Sequence, residues 1–238
     1  MSQRVPTGIK GFDELVEGGF PNESLILMAG EPGAGKTTFS AQFLYEGATN
    51  FGERGVYVCF AETKKALLRN MLRFGWDFER LELEKRCLVL DLSTSKEAGI
   101  QNNLDIMLRE VTALKAKRLV IDSFTSMAMA MKESIEIRHL AHLLYKFLQS
   151  VGCTTVMISD TPWGSKKIGS GIEEFIADGI ILMHTYFNKT GELNRKLRII
   201  KMRNTKHSLM THKYHILSTG INISPAETTK QKGERKGA

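Results

Sequence analysis

No apolar run in this 238-residue chain approaches the roughly 20 residues that a bilayer-spanning helix needs, and the opening Met1-Ser-Gln-Arg is no signal peptide. Cysteine is scarce. Cys59, Cys87 and Cys153 are odd in number, and each lies in or beside an apolar, strand-like run. That usage excludes a disulfide framework and a zinc site, and it reads as reduced core thiols of a cytoplasmic protein. The sequons at Asn188 and Asn222 therefore carry no weight. No internal repeat is visible. Acidic residues are short in one stretch above all: residues 189–213 hold eight Lys/Arg against the single Glu192, and the rest of the chain is balanced. A localised cationic stretch is either a solubilising hairpin or a surface for an anionic partner such as phosphate, nucleic acid or an acidic face. Residues 226–238 are polar, with no apolar side chain larger than Ala. A disordered basic tail is expected there, after one domain over 1–225.

The remaining composition, 42% hydrophobic and 25% charged, is that of an ordinary globular chain long enough for one large α/β domain. Its organising stretch is 24–38. An apolar run, Leu25 to Ala29, leads into Gly30-x-x-x-x-Gly35-Lys36-Thr37, and helix-forming residues follow from Phe39 to Ala48. Glycines let the backbone fold back so that successive N–H groups point at phosphate oxygens, and the helix N-terminus adds its positive end. The spacing predicts a triphosphate-binding loop. Gly33, Ala34, Gly35, Lys36, Thr37 and Thr38 cradle the phosphates, Lys36 reaches the β/γ-phosphates, and the Thr37 hydroxyl holds Mg²⁺.

Strand and helix signals alternate downstream. Gly55 to Phe60 reads as a strand ending at Ala61-Glu62, and Leu67, Leu68, Met71 and Leu72 mark a helix stopped at Phe74-Gly75-Trp76-Asp77. Cys87 to Asp91 is a further strand, and Leu104 to Leu114 a helix. Arg118-Leu-Val-Ile-Asp122 is an apolar strand ending in a carboxylate, the arrangement that places Asp122 on Mg²⁺ or its water. Leu140, Leu143, Leu144, Phe147, Leu148 and Val151 form a core stripe, and Cys153 to Ser159 another buried strand. Past residue 179, β segments follow one another without helices, around a turn at Asn188–Gly191. A mostly parallel α/β sheet covered on both faces, with an antiparallel β extension at its C-terminal edge, is the predicted fold. A short helix is expected near 7–15, ahead of Gly18-Gly19.

From about residue 5 to 225 the chain resembles the KaiC family, within the RecA/RadA class of ATPases. The resemblance is carried by Thr7-Gly-Ile-Lys-Gly-Phe-Asp-Glu-Leu15, Gly30-Glu-Pro-Gly-Ala-Gly-Lys-Thr-Thr38, Phe60-Ala-Glu-Thr63, Phe74-Gly-Trp-Asp77 and Leu119-Val-Ile-Asp-Ser-Phe-Thr-Ser126. Gly171-Ile-Glu-Glu-Phe-Ile-Ala-Asp-Gly179 and Lys201-Met-Arg-Asn-Thr-Lys-His207 complete it. Clock-type KaiC carries two such domains in tandem; this chain has one. The resemblance implies a RecA-like core, ATP as ligand, and a ring, commonly hexameric, with nucleotide at each subunit interface. It implies that Lys201, Arg203, Thr205 and His207 reach the neighbour's nucleotide, the cations near its γ-phosphate. Charge supplied in trans would stabilise the transferring phosphoryl group.

This chain departs from the clock proteins at two places. Their adjacent glutamates after the second strand become Ala61-Glu62, so Glu62 alone is left to orient the attacking water, and weak hydrolysis is expected. Their Thr-Asp pair near the neighbour's nucleotide becomes Leu217-Ser218. Arg73 matches a position near the adenine, whereas Trp76 reads as packing. The segment from Asp160 to Gly171 matches a loop that faces the channel in RecA-class proteins. There Trp163 offers a stacking face and Lys166 and Lys167 phosphate contacts. The same residues therefore admit a second reading, a single-stranded-DNA-binding accessory of recombination in which ATP supports assembly. A third, an autophosphorylating signalling protein, is disfavoured by Ala61.

Overall fold

The computed structural model describes residues 3–93, 99–129, 131, 133–165, 168 and 171–224. The chain begins with β1 (Arg4–Val5), which pairs antiparallel with β2 (Phe20–Pro21). Between them the expected helix is reduced to a 3₁₀ turn, Asp13–Val16. Gly8 and Gly11 sit at φ +73° and +78°, conformations no helix accommodates. The Asp13 carboxylate instead accepts from Thr7 Oγ1 (2.6 Å) and Thr7 N (2.9 Å), closing a compact loop. That loop drives Phe12 edge-on against Phe20 and Phe39.

The elements that follow are β3 (Leu25–Gly30), α1 (Lys36–Asn50), β4 (Gly55–Cys59), α2 (Lys64–Leu72), α3 (Phe78–Leu83) and β5 (Cys87–Asp91). Then come α4 (Gly99–Leu114), β6 (Arg118–Asp122), α5 (Phe124–Ala128), α6 (Ser134–Val151), β7 (Thr154–Asp160) and α7 (Glu173–Ile176). Four strands close the described chain: β8 (Gly179–Phe187), β9 (Leu193–Met202), β10 (Thr211–Leu217) and β11 (Gly220–Ile223). Their nine-stranded sheet has the order β11-β10-β9-β8-β3-β7-β6-β4-β5. From β8 to β5 all neighbours are parallel, and β9, β10 and β11 add on antiparallel beyond β8.

The central strand β3 is apolar throughout because both of its faces are covered. Along β3, Ile26 and Met28 point into the cluster that holds Phe39, Phe43 and Leu44 of α1, while Leu25 and Leu27 point to Leu140, Leu144 and the α4 residues Met107 and Val111. Period-two alternation thus feeds two cores from one strand. Arg118 fixes the α1 side. Its guanidinium is fully buried, donates to the carbonyls of Phe43 (2.7 Å) and Pro6 (2.8 Å), and pairs with Glu53 at 2.6 Å. Every donor so used repays part of the desolvation cost of burying a charge.

Candidate functional site

The loop between β3 and α1 is built on glycine. Gly33 (φ +82°) and Gly35 (φ +88°) adopt left-handed conformations, and Gly35 caps α1. Two carbonyls of the loop are tied to the antiparallel extension: Arg195 Nε of β9 donates to Gly33 O at 3.1 Å, and the Tyr214 hydroxyl of β10 donates to Ala34 O. On the strand side, the buried Glu31 carboxylate is held by His184 Nδ1 (2.8 Å) and by the backbone N–H of Thr185 (3.3 Å) on β8. The loop is therefore clamped by three strands, all distant in sequence.

Lys36 opens α1, and its ammonium is buried. Nζ donates to Gly30 O (2.8 Å) and Glu31 O (3.0 Å) and lies 3.0 Å from Asp160 Oδ1. The next residue, Thr37, donates from Oγ1 to Asp122 Oδ2 at 2.9 Å. Asp122 ends β6 and is buried; the same oxygen accepts from the Tyr57 hydroxyl of β4 at 2.7 Å. Burial raises the Asp122 carboxyl above the ordinary range; the Tyr57 and Thr37 hydrogen bonds and the Lys36 charge oppose that rise, and the Asp160 charge adds to it. One hydroxyl and one carboxylate side by side are a fitting partial set for Mg²⁺, which keeps water and phosphate oxygens as its other ligands. Among the described residues no group of three or more His, Cys, Asp or Glu side chains could hold a metal by itself.

Glu62 follows β4, half-buried, on a cleft of about 420 Å³ that it shares with Thr37, Thr38, Asn70 and Arg73. Burial first, and then the Asp122 charge, raise its carboxyl above the usual value. A carboxylate of raised basicity facing a phosphate site can orient or accept from a water molecule. Arg73 is exposed and lines the same cleft. Trp76 is packing: it is buried and stacked between Phe74 (4.7 Å) and Tyr45 (6.0 Å).

The basic segment lies elsewhere. Gly179 pairs with Ile26 near the start of β3, and Met202 pairs with Gly179, whereas the phosphate loop leaves β3 after Gly30. At about 3.3 Å per strand residue the segment sits more than 10 Å below that end of the sheet. Lys201 Nζ donates to Ala177 O (2.6 Å), and burial, then the Arg203 charge, lower its pKa. Arg203 pairs with Asp178 at 3.1 Å. Thr205 Oγ1 accepts from Arg4 Nη1 (2.7 Å), and His207 Nδ1 lies 3.0 Å from Ser208 O. The structure does not bring these four residues to the chain's own phosphate loop. Trp163 is 53% exposed and stacks on Phe187, itself exposed, with centroids 6.2 Å apart. Lys166 and Lys167 lie outside the described residues.

Sequence reasoning missed Asp160, Tyr57 and the loop clamps Arg195, Tyr214 and the Glu31–His184 pair. Asp160 had a signal: it ends an apolar strand, the pattern that singled out Asp122. Tyr57 sits inside an apolar run and had none.

The comparisons agree with this fold. The family model described as "ATPase: KaiC" matches residues 5–228. A UPF0273 protein of Methanocaldococcus jannaschii is 33% identical over 96% of this chain and 99% of its own length. The circadian clock oscillator protein KaiC of Synechococcus elongatus is 33% identical over 93% of this chain, which spans 44% of that longer protein. Among solved structures, a KaiC-like protein of the hyperthermophilic archaeon Pyrococcus horikoshii is 42% identical and superposes with a TM-score of 0.88 over 94% of this chain and all of that one. Matched along nearly its whole length by the family's model and in fold by one of its structures, the chain belongs to the KaiC family of ATPases.

Proposed function

We propose that the chain is a cytoplasmic, Mg²⁺-dependent ATPase that assembles into a ring, commonly a hexamer, and hydrolyses ATP weakly at its subunit interfaces. The observation that carries this reading is the contact of Thr37 Oγ1 with Asp122 Oδ2 at 2.9 Å beside a buried Lys36, all at one end of the parallel sheet. Residues 33–38 and Lys36 bind the phosphates, Arg73 lies toward the base, and Thr37 and Asp122 hold Mg²⁺. When bound, that ion neutralises charge on the phosphate oxygens. Glu62 orients the water that attacks the terminal phosphorus as the bond to the leaving ADP oxygen breaks. Lys201, Arg203 and His207 act on a neighbour's nucleotide, with Thr205 beside them, since their own loop lies at the other end of the sheet. One carboxylate where clock proteins have two accounts for slow turnover. Phosphate release from ATP and Mg²⁺ by the purified chain, abolished by Lys36→Ala, is the expected result; equal release by wild type and Lys36→Ala would contradict the reading.

The exposed Trp163–Phe187 stack favours a second activity at the same end of the sheet, binding of single-stranded DNA. Lys189 in the β8–β9 turn and Lys196, whose ammonium lies 5.0 Å from the Tyr186 ring centroid, supply cations nearby. Stacking platforms interleaved with cations suit single strands of any sequence.

A further inference from the structure

Asp160 is the last residue of β7, and its register partner is Gly30, where the phosphate loop begins. Its carboxylate bridges two parts of the site. Oδ1 lies 3.0 Å from Lys36 Nζ, and Oδ2 accepts from Ser123 Oγ, just past Asp122, at 3.1 Å. Its backbone is fixed as well: Asp160 N donates to Thr125 Oγ1 (2.8 Å), and Thr161 N donates to Gly30 O (3.0 Å), a carbonyl that also receives Lys36. The side chain is 41% exposed and opens onto a cleft of about 350 Å³ shared with Gly33, Lys36, Thr37 and Thr38. A negative charge thus stands, held by two donors, on the ammonium that phosphates need.

A loop of this kind holds α- and β-phosphates on backbone N–H groups, whereas the terminal phosphate depends on the lysine and on what lines the strand ends. Asp160 lines those ends. We infer that Asp160 is a specificity-determining residue: its carboxylate competes with a terminal phosphate for Lys36 and sets the chain's preference between nucleoside tri- and diphosphate against the triphosphate. This rests on the nucleotide-binding reading above. Like charges a few ångströms apart in a half-exposed cleft repel strongly enough to shift binding by about tenfold. The diphosphate, seated mainly on the loop amides, feels the same carboxylate less. Neutral Asn or Ser leaves a hydrogen-bond partner for Ser123 while removing the charge.

The test is calorimetric binding of ADP and of an ATP analogue with an imido β–γ bridge, both with Mg²⁺, to the full chain. Wild type is compared with Asp160→Asn, Asp160→Ser and Asp160→Glu. Expected are about tenfold tighter analogue binding in the two neutral variants, a change of less than about threefold for ADP, and wild-type preference in Asp160→Glu. An unchanged ratio of the two affinities, or weaker binding of both with a lower Tm, overturns the inference and leaves the nucleotide site standing. Binding of neither nucleotide to any variant, all melting cooperatively, overturns both.

Discussion

Asp122 shows how one residue divides stability from function. Its carboxylate is buried, takes hydrogen bonds from Tyr57 and Thr37, and still has its pKa raised, chiefly by burial. A carboxyl raised above its unfolded value contributes stability that is full at low pH and is lost as pH rises through its elevated folded value. In the metal-free protein burial therefore disfavours the ionised carboxylate by more than its two hydroxyl donors and the Lys36 charge offset. Asp122→Asn keeps an acceptor for both hydroxyls and removes the carboxylate charge, so it should stabilise the metal-free chain by about 1 kcal/mol at pH 7 and less at pH 5. Thermal melts at the two pH values check this, and a lower Tm at pH 7 would contradict it. Residues such as Asp122, Lys36 and Thr37 were legible because their chemistry is written in local spacing. Tyr57, Arg195 and Tyr214 were not, because each matters through a partner between 65 and 180 residues away along the chain and no local motif marks it. Spacing does not carry that information.

Elements differ in the same way. Strands such as β5 and β6 stand out as apolar runs closed by an acidic residue, and α4 and α6 as 3.6-period stripes. The short pieces escape: α3 spans only Phe78–Leu83, is capped by Asp77 Oδ1 on Arg80 N (2.9 Å), and is too brief to show a period. β11, four residues long, is held by neighbours and not by its own pattern: Ile221 N donates to Gln42 Oε1 of α1 at 2.7 Å. The expected lead-in helix failed because two glycines there take positive φ. The β8–β9 hairpin and the residues after β7 carry the DNA reading. Single-stranded DNA at low salt should quench the exposed Trp163, and salt should reverse the effect. Trp163→Ala should weaken binding by about 1–3 kcal/mol, the worth of a base stacked on an aromatic ring. The absence of any binding at low salt would eliminate this activity.

Across the whole molecule the pair Lys201 and Arg203 and the phosphate loop sit at opposite ends of one sheet. The loop, Asp122, Asp160 and Glu62 gather at the carboxyl ends of the parallel strands, while Lys201 and Arg203 project near the start of β3, paired with Ala177 O and Asp178. A chain acting alone would leave those cations without a phosphate to serve. A ring in which one subunit's lower edge meets the next subunit's loop gives them one, and burial of the Glu62 cleft in that interface would exclude bulk water from the reaction. The most direct test is complementation of phosphate release from ATP and Mg²⁺. Glu62→Gln lacks the carboxylate proposed to orient water, and Arg203→Ala lacks the cation proposed to act on a neighbour. Each alone should be inactive. Mixed, they should recover part of the wild-type rate, because some interfaces then pair an intact Glu62 with an intact Arg203. A mixture as inactive as its components, from two variants each defective alone and shown to co-assemble, would contradict action across the interface.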